Sequence, residues 1–98
     1  MGTMTDDFMD SPEFKALIKE YLNYLNTSLP GVRSNLNDEL YQDVYKFGHN
    51  IKGTGTSYGF ENLSDIGAKI CSNIKDEDYS DLASLLDKVD SILTEALA

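Results

Sequence analysis

An all-α fold, an antiparallel four-helix bundle with a kinked or broken N-terminal helix, is what this sequence predicts, on three observations. Apolar residues recur every three or four positions along most of the chain. No segment alternates apolar and polar residues as a strand would. The apolar stripes are narrow and joined by short polar or glycine-containing links, so each must bury itself against its neighbours, and short links make those neighbours antiparallel. A chain of 98 residues makes one domain. It is expected over 11–98, with 1–10 a flexible lead-in.

The first helix starts at Ser11-Pro12-Glu13, a capping hydroxyl followed by a proline whose missing N–H costs nothing there. Leu17, Ile18, Tyr21, Leu22, Leu25 and Leu29 follow at helical spacing. Pro30-Gly31 predicts a kink or break. Leu29, Val32 and Leu36 keep the rhythm, so a bent continuation or a short second segment is expected through about residue 36. Asn37-Asp38 is expected to cap the second helix. Its apolar line is Leu40, Val44, Phe47, Ile51 and Tyr58, with Gly55 filling the gap and Gly59 as the stop. Glu61 or Asn62 opens a third helix carrying Leu63, Ile66, Ile70 and Ile74. After a polar turn at 75–78, the last helix carries Leu82, Leu85, Leu86, Val89, Ile92, Leu93 and Ala96.

Charge narrows the function. Lys and Arg total 8 against 17 Asp and Glu, a formal net charge of −9. Such a surface repels phosphate backbones and anionic lipid, so neither nucleic acid nor membrane is an expected partner. Cys71 is the only cysteine, which rules out an internal disulfide and suits a reducing cytoplasm. No signal peptide or apolar run of membrane-spanning length is visible, and Asp6 stands where a myristoylation motif wants Ser or Thr. The domain is expected to be monomeric.

The most informative stretch is Gly48-His49-Asn50-Ile51-Lys52-Gly53, closed by Gly59. It holds the chain's only histidine. At 100° per residue, Phe47 and Ile51 lie roughly 160° from His49, and Leu40 and Tyr58 near 180°. The core stripe is therefore opposite His49. Tyr45, Lys52, Gly53 and Thr56 fall within about 60° of it and form its surface neighbourhood. The angles remove a buried, core-bonded histidine and leave a surface one. Taken singly, Lys52 is an ordinary surface lysine. A mid-helix glycine costs about 0.5–1 kcal/mol relative to alanine. Close helix packing accounts for Gly55, which lies toward the core, better than for Gly53, which faces out with His49. Gly53 leaves room beside the imidazole, and Lys52 can reach a phosphoryl group carried on it.

His49-Asn50-Ile51-Lys52-Gly53, then Thr54, Thr56 and Gly59, closely resembles the H-x-L-K-G-[ST]-…-G signature of histidine-containing phosphotransfer (HPt) domains. These are four-helix modules of multistep two-component phosphorelays. Ile51 stands where leucine is usual. Gly59-Phe60, Leu63-Ser64-Asp65-Ile66 and Ile70 extend the likeness into the family's third helix. It covers about residues 14 to 95 and is strongest from 47 to 70, while the N-terminal part matches only in apolar pattern.

The resemblance implies that His49 is the phosphoacceptor, that Lys52 steadies the phosphoryl group and that Gly53 gives a partner access. It implies a phosphohistidine carrier rather than an enzyme, with no cofactor of its own. The partners implied are response-regulator receiver domains, which bring Mg²⁺, with a hybrid sensor histidine kinase as a further candidate. Tyr41, Tyr45 and Thr56 are candidate partner-binding residues, with Ile18, Tyr21 and Leu22 on the first helix equally open to a packing role.

Other stretches resemble known sites only in part. Gly53-Thr54-Gly55-Thr56-Ser57-Tyr58-Gly59 lacks the preceding strand and the GK[ST] of a nucleotide loop. Asp76, Asp78 and Ser80 lack the glycine and closing glutamate of a calcium loop. One histidine and one cysteine cannot build a structural zinc site, and Cys71 has the spacing of a small core residue. The phosphoacceptor helix pair of a sensor kinase is disfavoured by Asn50 and Thr54, where that family has an acidic residue and a proline. A helical interaction module without phosphoryl transfer is the main alternative.

Overall fold

The Ser11 hydroxyl accepts a hydrogen bond from the Phe14 N–H at 3.1 Å, and Pro12 opens the helix behind it. This N-terminus begins the described part of a computed structural model, residues 11–98; the lead-in expected over 1–10 lies outside the described residues. Helix α1 then runs Pro12–Asn37 without a break. Of the outcomes expected at Pro30-Gly31, a second segment and a continuation of the same helix, the continuation is the one found. Pro30 removes the N–H that would reach the Asn26 carbonyl, but both residues are exposed, so water can serve that carbonyl. Leu29 and Val32, buried on either side, hold both halves to the core.

The inner stripe of α1 is Phe14, Leu22, Leu25, Leu29 and Val32, with Ile18 and Tyr21 half-buried. Leu17, expected inside, is 49% exposed. Phe14 takes its place in the stripe, since it stands one turn before Ile18 and two before Tyr21.

Helix α2 spans Tyr41–Thr54 and buries Val44, Phe47, Gly48 and Ile51. Asn37-Asp38 does not cap it. Asn37 still belongs to α1, Asp38 follows as that helix's C-cap, and Leu40 precedes α2 with no side-chain cap. Leu40 is therefore 47% exposed rather than part of the core line. Helix α3, Glu61–Lys75, and helix α4, Leu82–Leu97, follow. Helix α3 opens at Glu61, one of the two expected starts, and α4 opens at Leu82, the first residue of its expected apolar stripe. Ala96 at the far end of α4 is exposed, not inward.

The same stop closes α1 and α3. Glu39 has φ 60° and Glu77 φ 56°, each just past its helix. The Leu40 N–H reaches the Asn35 carbonyl at 2.8 Å, and the Asp78 N–H reaches that of Asn73 at 2.8 Å. A left-handed residue followed by this long return bond satisfies carbonyls that the helix end leaves open.

Each helix packs on the next, and α4 closes on α1. Tyr21 near the start of α1 meets Thr54 at the end of α2, while Arg33 late in α1 meets Asp87 early in α4. The arrangement is thus an antiparallel four-helix bundle. Leu25, Ile51, Leu63, Ile70, Leu82, Leu86 and Leu93 lie fully buried at its centre. Burial of each such side chain is worth about 1.5–3 kcal/mol. No side-chain polar or charged residue is buried among the described residues, so the core is held by apolar packing alone.

Candidate functional site

The closest approach in the bundle is between α2 and α3, and glycine makes it. A Cβ on Gly67 would lie 2.5 Å from the Gly48 carbonyl oxygen and 2.6 Å from the Lys52 nitrogen. A Cβ on Gly48 would lie 2.7 Å from Ile70 Cγ2. The two backbones touch just under His49. Nothing in the local sequence marks Gly67, because only the inter-helix register shows what it faces.

His49 is on the outer side of this seam and is exposed. Gly48 before it and Ile51 after it are buried, so the helix is pinned to α3 and its outward face is fixed in direction. Lys52 and Gly53 are exposed with it. A Cβ at Gly53 would meet nothing within 4 Å, so neither packing nor backbone angle demands glycine there. Gly55 is the opposite case: a Cβ would strike Ser64 Oγ at 2.7 Å and the Phe60 oxygen at 2.8 Å.

Tyr45 stands one turn before His49 and is half-buried. The two rings are nearly parallel, at 7°, with centroids 6.2 Å apart. Lys75, the last residue of α3, holds its Nζ 5.9 Å from the centre of the Tyr45 ring. Cys71, one turn earlier on α3, directs its thiol at the Tyr45 carbonyl at 3.8 Å. Burial pushes the Cys71 thiol up, and the nearby Lys52 and Lys75 ammonium groups partly oppose that. Lys75, expected in the polar turn at 75–78, is still helical. Its place beside the site follows from the antiparallel register of α2 and α3, which no motif encodes.

Thr54 ties the end of α2 to α1. Its hydroxyl donates to the Asn50 carbonyl at 2.7 Å, which leaves the Tyr21 phenol as donor to Thr54 Oγ1 at 2.7 Å. Burial raises the Tyr21 phenol above its ordinary pKa, with the Thr54 bond acting against it. The Tyr21 ring stacks on Tyr58 at 4.2 Å.

The angular reading overshoots beyond Thr54. The helix stops there and Thr56–Tyr58 form a 3₁₀ turn, ended by Gly59 at φ 87°. Tyr58 is accordingly not on the α2 core line but half-buried against Tyr21 and Phe14. Thr56 is exposed, yet its position does not follow from helical spacing: its N–H and hydroxyl both bond to Ser64 Oγ, at 2.8 and 2.9 Å.

Tyr41, expected at the partner surface, is half-buried with its ring against Tyr79 at 3.6 Å. Burial and the nearby Glu39 carboxylate push its phenol up. On α1, Leu22 is buried and unavailable to a partner, while Leu17 and Tyr24 are 49% and 62% exposed.

Among the described residues no group of three or more His, Cys, Asp or Glu could hold a metal ion, and no helix is long and apolar enough to cross a membrane. Ser80 donates its hydroxyl and N–H to Asp78, which lowers that carboxyl's pKa and uses the oxygen as a turn acceptor. The chain matches no protein-family model, and neither a curated protein nor a solved structure matches it.

The arrangement is an imidazole fixed on a rigid helix, open to solvent, with a cation one turn on and no side chain at the next position. That geometry suits a nucleophile that must meet an electrophile presented by a second macromolecule.

Proposed function

We propose that the domain is a phosphohistidine carrier of a two-component phosphorelay, with His49 accepting a phosphoryl group from, and returning it to, the aspartate of a response-regulator receiver domain. The supporting observation is the joint exposure of His49, Lys52 and Gly53 on the side of α2 away from its buried line. The HPt-like motif spanning these residues points the same way.

Neutral imidazole offers a ring-nitrogen lone pair near pH 7. Nε2 attacks the aspartyl phosphate in line and the carboxylate leaves. Such transfer depends mainly on alignment and charge stabilisation. The rigid helix supplies the alignment and Lys52 a charge; the receiver brings Mg²⁺. On this reading the chain is not itself an enzyme. It works in the cytoplasm as a monomer, and a hybrid sensor histidine kinase is a further partner.

The test is incubation with a phosphorylated receiver domain. The expected result is acid-labile, alkali-stable label on this chain, absent from His49→Gln. Label that survives His49→Gln overturns the assignment. Lys52→Ala is expected to slow transfer with the fold intact.

The second reading, an interaction module without phosphoryl transfer, draws on Leu17 and Tyr24, large exposed apolar side chains two turns apart on α1. Partner binding by a chain that takes no label would favour it.

A further inference from the structure

Cys71 and Lys75 stand one turn apart on α3 and both reach Tyr45, one at its carbonyl and the other at its ring. Tyr45 in turn lies parallel to His49. A cation from α3 thus stands at a ring on α2 that itself lies beside the imidazole. Lys75 precedes Asp76, Glu77 and Asp78, three carboxylates that could draw it away. Its Nζ nonetheless lies over the ring, and the ion pairs among the described residues join Arg33 to Asp87 and Asp90 rather than involving Lys75. Lys52 and Lys75 each oppose the burial that raises the Cys71 thiol, in a domain of net charge −9.

Resting on the carrier reading, we infer that Lys75 is the second cation of the phosphoryl site and that Tyr45 is the residue that positions it. Lys52 arrives from the His49 helix and Lys75 from the next.

The charge arithmetic of the step supports two cations. Nε2 of the neutral imidazole forms a bond to phosphorus. The bond from phosphorus to the aspartyl oxygen breaks, and its electron pair leaves with the carboxylate. The phosphoryl group carries two negative charges throughout. The imidazole becomes cationic until its Nδ1 proton passes to solvent, after which the phosphohistidine is a dianion. Two lysines balance that dianion where one would not. Before transfer they form a local positive spot on an acidic domain, which draws an anionic, phosphorylated partner to His49 rather than elsewhere.

The experiment uses the whole chain, phosphorylated either by phosphoramidate alone or by a phosphorylated receiver domain, with Lys75→Ala, Lys75→Arg, Tyr45→Leu and, as control, Lys88→Ala on the exposed side of α4. Transfer from the receiver should slow about threefold to tenfold in Lys75→Ala at low salt. The deficit should shrink as salt rises, be restored in Lys75→Arg and be absent from Lys88→Ala. In the unphosphorylated protein, the Lys75 protons next to Nζ should resonate upfield from the Tyr45 ring current and return to ordinary values in Tyr45→Leu. Equal rates for wild type and Lys75→Ala at every salt concentration, or an equal loss in Lys88→Ala, overturn the role of Lys75 while leaving the carrier reading standing. A wild-type chain that takes no label from either donor overturns both. Lys75 resonances indifferent to Tyr45→Leu remove the positioning role of Tyr45, whatever the labelling shows.

Discussion

Gly48 and Gly53 lie on the same helix and answer to different constraints. A methyl group on Gly48 would run into Ile70, whereas one on Gly53 would touch nothing. The inner side of α2 is dictated by packing: remove its glycine and Ile70 must give way. The outer side, with His49, Lys52 and Gly53, contributes no buried apolar area to the bundle. Stability therefore explains the first set of residues and leaves the second to function. The contrast has a limit within the molecule itself. Gly31 in α1 is equally open and exposed, so an unpacked helix glycine is not on its own a functional sign. What sets Gly53 apart is its company, an exposed imidazole one turn back and a lysine beside it.

The seam is where the contrast can be broken most violently. Gly67→Ala places a Cβ against the backbone of Gly48 and Lys52, atoms that cannot swing aside as a side chain could. Overpacking costs about 1–3 kcal/mol, or more against a backbone, and the gain in helix propensity returns about 1. A net loss of about 2 kcal/mol is expected, read as a melting point lower by about 8–16 °C. Gly48→Ala meets the β-carbon of Ile70 at 3.0 Å and its Cγ2 at 2.7 Å, so a smaller loss of about 1 kcal/mol or less is expected by denaturant titration. Wild-type stability in both would mean the helices are not so close, and the fixed direction of His49 would lose its support.

Periodicity made the four helices legible, because a one-sided apolar stripe at helical spacing has few other solutions. It also put His49 outside, since Val44, Phe47 and Ile51 were enough to orient the helix around it. It failed where a helix was assumed to continue or to stop. Tyr58 and Thr56 were placed by extending α2 past Thr54, and the 3₁₀ turn undoes that extension. Leu40 was counted into a helix it only precedes. Pro30 left a break and a continuation of α1 both open, and Leu29 and Val32, buried on either side, hold the chain in line. Lys75 and Gly67 could not be read at all: each matters through what it faces on another helix, and register between helices is a property of the packed core rather than of any local stretch.

The smallest effect is the one that separates stability from function most cleanly. Gly53→Ala and Gly31→Ala each replace an open helix glycine with the best helix former, and each should raise stability by about 0.5–1 kcal/mol, less for Gly53 because it sits in the last turn of α2. Denaturant midpoints check that gain. The two should then part company when transfer from a phosphorylated receiver is timed. Gly31→Ala, remote in sequence from the His49 face, is expected to transfer at the wild-type rate. Gly53→Ala adds a methyl group to the surface a partner must approach and is expected to slow transfer despite the firmer helix. A more stable Gly53→Ala that transfers as fast as wild type would show that the glycine is incidental, and the access argument would then fall back on His49 and Lys52 alone.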